Sequence, residues 1–536
     1  MIPQFTNPAN PAGKVSLVNV YTNDPDAKGL SLEQVTPPAG PWHFSIPGWT
    51  GAGGLFDPGT PEFEAGHLTV VLANTFSAWC DFFGVNPAWQ PGMAQLPVSP
   101  RAGKDLNAYY DRQGLKFFYN PDSVLGKTVY ACESSDVVAH ECGHAILDAE
   151  HPDYWDSLLG ETGAFHEAFG DISAMLVTLD DPRVRAAILA ENGGNLSKSN
   201  AVSRLAEQLA HAISDAGHPE AVVSANALRD AVNTFKYQAP DKLPGSAPAS
   251  KLSSESHSFS RVFSGGFYDV LVGIYMQLRQ ADASLSGDAA LAQARSAAGH
   301  LIAQGLLLAP KGDAPFKTIA SSMLTANAKD FGGKYFAVLK KAFVGRRVLT
   351  AKEADALKGS QGAVRTETSS LGGTASVSIG TPLQMGMAQA TAGQELPSDV
   401  RKKLKLPRRD FRLVRETPKR DDGRVLHFVA PRELQLKGSD MGPARGAVVT
   451  VTDAVSLHVD PEGRVLSANQ HKVDKGQEKR IQDHVAKLVR RGRIYDGGKE
   501  GSIDPSLLIE RKQPYYVAYD SEGKKRIRRA FIACHS

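Results

Sequence analysis

The chain has 536 residues, 42% hydrophobic and 22% charged, a balance that fits two to four folded domains and excludes a wholly disordered chain. No apolar run reaches the roughly 20 residues that a membrane-spanning helix needs, and four cysteines exclude a disulfide-dense scaffold. The net charge of +3 hides an asymmetry: residues 401–536 carry 31 basic and 18 acidic side chains, against 29 and 39 in residues 1–400, which suggests two bodies with different partners or two bodies that attract each other.

The start, MIPQFTNPANPAGK, lacks the basic n-region and apolar core of a signal peptide. The expectation is a cytoplasmic chain or one exported by a non-classical route, with a secreted mature chain as the alternative. The first sixty residues read as loops and short strands. Residues 61–84 have helical periodicity and aromatic bulk, which predicts a buried helix. Residues 106–120 alternate around a turn signal and predict strands. Helices follow at 136–150, 161–178, 200–215, 258–281, 288–309 and 316–344. Residues 351–398 shift to Gly, Ser, Thr, Ala and Gln, the composition of a linker. Beyond them, Asp421-Asp422-Gly423, Asp460 to Gly463 and Asp520 to Gly523 mark three hairpins, with a helix at 475–492 between the second and third. The fold class is therefore α+β. Its expected parts are an N-terminal lobe (1–155), a helical lobe (156–350), the linker, and a small basic α+β domain (399–536). No solenoid repeat is present.

The chemistry concentrates in Asp136-Val-Val-Ala-His140-Glu141-Cys-Gly-His144. On a helix, His140 and His144 share one face and can reach one metal ion, while Glu141 lies about 100° around. Flanking Val137, Val138, Ala139, Ala145 and Ile146 predict that this helix is buried. The next helix carries Glu167 and Asp171, again four apart, among Ala, Phe and Ile. A buried carboxylate needs a cation or hydrogen-bond donors. Glu167 as third ligand, and Asp171 as acceptor for a ligand histidine's outer N–H, would satisfy both. Two imidazoles and a carboxylate suit Zn²⁺ with one position left for water. His166 is a rival ligand that points about 100° away from Glu167.

These motifs resemble the thermolysin-like zinc metallopeptidases, a branch of the gluzincins. DVVAHECGHAILD is similar to that family's zinc helix, and ETGAFHEAFGDI to its glutamate helix. Asn107-Ala108-Tyr109-Tyr110 is similar to its substrate-holding edge strand, Asn226-Ala227-Leu228-Arg229 to the segment carrying its substrate arginine, and His257-x-x-Ser260 to its transition-state histidine. VLKKAFVG (338–345) is similar to the last helix of its helical lobe. The resemblance covers about residues 60–350 and implies a two-lobed zinc endopeptidase acting on peptide or protein substrates. It makes His140, His144 and Glu167 the zinc ligands, Glu141 the general base, and His257 the donor to the oxyanion. Arg229, Asn107 and Ala108 would bind the substrate backbone. Leu228 and Val137 would line an apolar pocket that prefers a bulky residue after the cleaved bond.

The chain departs from the family at several points. The interval from His144 to Glu167 is longer, the extra length falling in HPDYWDSLL. Tyr154 there is the nearest candidate for the oxyanion-binding tyrosine. Glu255 is the candidate to orient His257. Asp136 is kept at a calcium-site position, but Thr178 stands where the family often has a calcium-binding glutamate, so Ca²⁺ is a weaker expectation than Zn²⁺. The family's N-terminal signal and large pro-region have no counterpart. Two other classes of function stay open: a metallopeptidase fold kept as a catalytically silent binding module, and a polyanion-binding protein acting through its basic domain. No nucleic-acid motif accompanies the basic runs, so nucleic acid is not an expected partner. The charge split predicts intramolecular docking of the C-terminal domain over or near the cleft, as a built-in inhibitor or chaperone.

Overall fold

The computed structural model describes residues 17–27, 30, 32–37, 43–51, 53–90, 92–121, 126–224, 227–358, 374–384, 392–418, 423–499, 503 and 505–534. Asn226, Asp421 and Asp422 lie outside this set. The fold is α+β, and no helix among the described residues is long and apolar enough to cross a membrane.

In the larger body, helix α1 (Pro61–Phe83) begins with the Thr60 side chain accepting from the Phe63 N–H and Pro61 in the first turn, and it ends at Gly84 with φ 76°. Each device satisfies or removes a backbone group left over at a helix end. Around α1 lie the short strands β1 (Phe44–Ser45), β2 (Leu96–Ser99), β3 (Ala108–Tyr110) and β4 (Leu115–Phe117). Helices α2 (Ser135–Glu150) and α3 (Gly160–Thr178) follow, and every residue of α3 is buried. Such a helix shows no polar stripe because every face meets protein. Then come α4 (Ser256–Ala281), α5 (Gly287–Leu308), α6 (Phe316–Asp330) and α7 (Phe336–Gly345). One apolar cluster runs from Ala27 to Ala354 through all of them, across the expected boundary between lobes.

Two predicted helices differ from the structure. The run 316–344 is divided between α6 and α7, where Gly332 and Gly333 take φ +57° and +83°, a region open to glycine. The run 200–215 becomes helical only at Glu207. The Asn200 side chain accepts from the N–H groups of Val202 and Ser203, making a turn that competes with helix. Arg204–Leu205 then pairs antiparallel with Arg229–Asp230, and this two-residue ribbon holds Arg229.

The expected linker also carries structure. Ala351–Ala356 is a helix with a capping box at Thr350 and Glu353, and β5 (Thr374–Gln384) is an edge strand of the C-terminal sheet. Its run TASVSIGTPLQ holds enough alternating β-branched positions to pair, although its small polar residues read as linker by composition. The remaining strands are β6 (Arg412–Pro418), β7 (Arg424–Gln435), β8 (Val448–Val459), β9 (Arg464–His471), β10 (Ile494–Lys499), β11 (Tyr515–Tyr519) and β12 (Lys525–Arg529). They assemble in the order β5-β9-β8-β12-β11-β10, with β7 also pairing β8, and β6 pairing β7. The hairpin turns at Asp460 and Asp520 close with Gly463 and Gly523 at φ 77° and 75°. Helix α8 (Lys475–Arg490) starts on the Asp474 side chain.

The C-terminal body is docked on the larger one. Its last strand, β13 (Ile532–Ala533), leaves the C-terminal sheet and pairs antiparallel with β3, Ile532 opposite Tyr110 and Ala533 opposite Tyr109. The larger body's sheet therefore reads β13-β3-β4-β2-β1. Ile532 and Cys534 are buried in the larger body's apolar cluster. The segment after α2 is the main platform for the rest of the contact. Trp155 Nε1 donates to the Arg529 carbonyl at 3.2 Å, and Arg529 Nε donates back to the Trp155 carbonyl at 2.9 Å. Leu158 and Leu159 enter the apolar cluster of the C-terminal body. Arg415 binds the Glu150 carboxylate at 2.9 Å, and Lys487 Nζ donates to the carbonyls of Pro240 and Leu243 at 2.6 and 2.8 Å. Arg415, Lys487 and Arg529 thus turn inward, and most of their partners are backbone carbonyls rather than carboxylates.

Candidate metal centre

Helices α2 and α3 approach closely because each offers glycine to the other. A Cβ built on Gly143 would lie 2.5 Å from Ser173 Oγ and 3.2 Å from the Gly170 Cα, and one built on Gly170 would lie 2.6 Å from His140 Nδ1 and Cε1. Only glycine leaves that space. At this contact His140 Nε2 lies 3.4 Å from Glu167 Oε2, and His144 Nε2 lies 3.9 Å from Glu167 Oε1. The His140 and His144 rings are 4.7 Å apart. Ligand atoms about 2.0–2.2 Å from one tetrahedral zinc sit roughly 3.3–3.6 Å from each other, so these separations are close to those of a zinc site.

The surroundings are as demanding. His140, Glu141, His144 and Glu167 are at most 2% exposed. Yet His140 Nε2, His144 Nε2, Glu167 Oε2 and both Glu141 oxygens have no hydrogen-bond partner. Buried polar atoms left this way cost free energy unless something else binds them, and a dication among the three ligand side chains would do so. One donor atom each from His140, Glu141 and His144 also lies within 4.8 Å of the others. The residues present therefore fit zinc. Asp171 Oδ1 sits 3.2 Å from His140 Nδ1 and 2.9 Å from Arg229 Nη2, so it both turns the ring and is itself neutralised. Burial alone would lower the His140 pKa, but its contacts with Asp171 and Glu167 carry it up to about 9. Burial pushes the Glu141 carboxyl up to about 8, with Glu167 adding to the rise.

His257 stands on the other side of Glu167, its Nε2 3.2 Å from Glu167 Oε2 and its Nδ1 2.8 Å from Glu255 Oε1. Glu255 is also the cap of α4, accepting from the Ser258 N–H. Burial would lower the His257 pKa, but the Glu167 and Glu255 carboxylates raise it overall, while His257 and the Ser258 N–H hold Glu255 well below the usual carboxylate range against its own burial. Asn107, Tyr109, Glu167 and His257 line one cleft, whose far wall includes Tyr515 and Arg529 of the C-terminal body. Leu228 and Arg229 line an adjoining cavity shared with His257. Val137 is buried in the core cluster that also contains Leu228 and Cys534.

Of three positions, only Tyr154 departs from what the sequence suggests; His166 is already set aside by its helical angle, and Ca²⁺ is the weaker expectation. Tyr154 does not face the centre: its ring stacks on His151 at 4.3 Å, it is fully buried, and the charges that act on it are Asp153 and Asp313. The longer segment after His144 meets the C-terminal body through Trp155, Leu158 and Leu159, and Tyr154 is buried just before them. His166 is buried 5.8 Å from the His144 ring with no hydrogen-bond partner, and it stands outside the His140–Glu141–His144 group. The calcium position is taken up by other contacts. Asp136 accepts from the Ser134 hydroxyl and the Ala206 N–H, Thr178 bonds the Ala174 carbonyl, and the Arg204 guanidinium joins Glu191 and Glu207 at 3.2 and 2.6 Å. That arginine pairs with Glu191 and Glu207 only, while Asp136 shares the Ser134 hydroxyl with the buried Asp24 carboxyl.

Two supports of the site were not read from sequence. One is the glycine pair Gly143 and Gly170. The other is Asp148, one turn beyond His144, which accepts from the Tyr110 hydroxyl at 2.9 Å and pairs with Arg112 at 2.6 Å. That network pins β3 to the helix bearing both histidines. The four-residue step from His144 to a buried acid was the available signal. Gly170→Ala is expected to push the His140 ring aside and weaken zinc binding by roughly 10–100-fold, the range for losing a group that orients a ligand. Titration against a chromophoric chelator measures it.

Comparison of the sequence with protein-family models and with curated proteins finds no match.

Proposed function

We propose that this chain is a zinc-dependent endopeptidase of the thermolysin-like kind, two-lobed over about residues 60–350. The observation that carries this reading is the convergence of buried, unpartnered ligand atoms from His140, His144 and Glu167, beside an edge strand that already holds an extended peptide. His140, His144 and Glu167 would hold the zinc, which when bound polarises a substrate carbonyl and acidifies water.

The other roles follow from atoms in place. Glu141 takes a proton from the attacking water on its unpartnered carboxylate and returns it to the leaving nitrogen. Asp171 keeps the outer nitrogen of His140 occupied, so that Nε2 faces inward. His257 donates from Nε2 to the carbonyl oxygen as charge grows there, and Glu255 holds its other nitrogen. Asn107 and Ala108 align the substrate backbone as an added strand, and Arg229 binds the next carbonyl. Leu228 and Val137 give the apolar wall that favours a bulky apolar side chain after the cleaved bond.

Metal analysis paired with a quenched-peptide assay tests the proposal. One zinc per folded chain, and activity lost on chelation and restored by zinc, are expected. A folded chain that takes up no zinc would reject it. His257→Ala is expected to keep its zinc while turnover falls by roughly 10²–10³, as for loss of one oxyanion donor.

A further inference from the structure

Residues Phe531 to Cys534 lie in the cleft as a substrate would. The antiparallel pairing of β13 with β3 sets their register, and three hydrogen bonds select one peptide bond within it. The Ala533 carbonyl oxygen is 2.6 Å from His257 Nε2. The Cys534 N–H donates to the Ala108 carbonyl at 2.9 Å. The Cys534 carbonyl accepts from Arg229 Nη1 at 2.9 Å. The bond between Ala533 and Cys534 therefore has the oxyanion donor on its carbonyl, the edge strand on its N–H, and the arginine on the following carbonyl. Cys534 is 1% exposed, and the charged groups that act on its thiol are Arg229, Glu141, Glu167 and Asp171, so its side chain is held beside the centre itself. Its thiol is not part of the close group formed by His140, Glu141 and His144.

We propose that Ala533–Cys534 is an intramolecular cleavage site, so that the chain's own C-terminal segment is the first substrate of the cleft it occupies. The inference rests on the peptidase reading above and names a substrate for it. In the reaction, a water oxygen bonds to the Ala533 carbonyl carbon, and the C–N bond breaks with its electron pair staying on the Cys534 nitrogen. Glu141 carries one proton from that water to this nitrogen, and the new Ala533 carboxyl gives up the other. The chain then ends at Ala533 and releases the segment that begins with Cys534. Until that cut, the β3 edge, His257 and Arg229 are all engaged, and no other peptide can take the same register.

Intact-mass spectrometry of the full chain loaded with zinc, alongside Glu141→Gln, tests this. The wild type is expected to end at Ala533 and Glu141→Gln at Ser536. Glu141→Gln mixed with wild type is expected to keep its end, because its segment is already seated in its own cleft. Peptide mapping after alkylation of metal-free Glu141→Gln gives a readout independent of activity: Cys534 is expected to be protected until denaturant is added. A wild-type chain that keeps Ser536, a Glu141→Gln chain that loses its end alone or on mixing, or a readily alkylated Cys534 overturns the proposal. Cys534→Asp, which would bury one more carboxylate beside Glu141, Glu167 and Asp171, is expected to stay uncut while its cleft opens to a quenched peptide. Trimming of that variant at the same bond also counts against the proposal. If the wild type stays uncut but Cys534→Asp hydrolyses the peptide, self-cleavage fails and the peptidase reading stands. If neither cuts anything, both fail.

Discussion

Glu141→Gln is expected to bind zinc like the wild type and to lose about 10²–10⁴ in turnover, the contribution of a positioned general base. The substitution keeps size and shape, and Glu141 lies beside the ligands without being assigned as one. Its two oxygens are fully buried and have no hydrogen-bond partner, so no structural contact is lost when one of them becomes an amide nitrogen. A structural role for Glu141 would show as lost stability or lost zinc. Metal content, thermal unfolding and initial rates on one preparation separate the two, and near-normal hydrolysis with zinc retained would remove Glu141 from the mechanism.

His144→Ala is expected to abolish both stoichiometric zinc and peptide hydrolysis, since one of three protein ligands disappears. The imidazole is fully buried with neither nitrogen hydrogen-bonded. Replacing it also leaves a cavity between α2 and α3, worth roughly 2–5 kcal/mol by analogy with other large buried truncations. Zinc analysis after dialysis and a denaturant melt read the two effects separately. Full zinc occupancy in the variant would show that His144 is no ligand. His140→Ala should behave alike for the metal, with an added cost: Asp171 would lose one of its buried partners and keep only Arg229.

How far the sequence could be read depended on how local each feature is. Residues four apart on a helix share a face whatever the rest of the molecule does, so the placement of His140 with His144 and of Glu167 with Asp171 was visible. What brings the two helices into contact was not. That depends on Gly143 meeting Gly170, and a glycine inside a helical pattern reads only as a mild penalty. The segment after His144 was recognised as long, but its use was not, because its partners Arg529 and Arg415 are hundreds of positions away. The same distance explains Tyr154: a tyrosine near the right position looked available until the platform around it buried it. The charge split pointed to docking, whereas much of the contact that forms is made by basic side chains on backbone carbonyls, which composition does not record. Strand β5 shows the reverse problem, a run whose small polar residues masked a pairing that only the completed C-terminal sheet provides.

The pairing of β13 with β3 joins positions more than four hundred residues apart. During synthesis the body around β3 emerges long before Phe531 to Cys534 exist, so its edge strand spends that interval bare, with carbonyl and N–H groups able to recruit any extended segment nearby. Closure over so long a loop is slow compared with local helix formation. The order of events is therefore set by translation: a half-made molecule has an accessible groove, and the arrival of its own late-made strand is what shuts it.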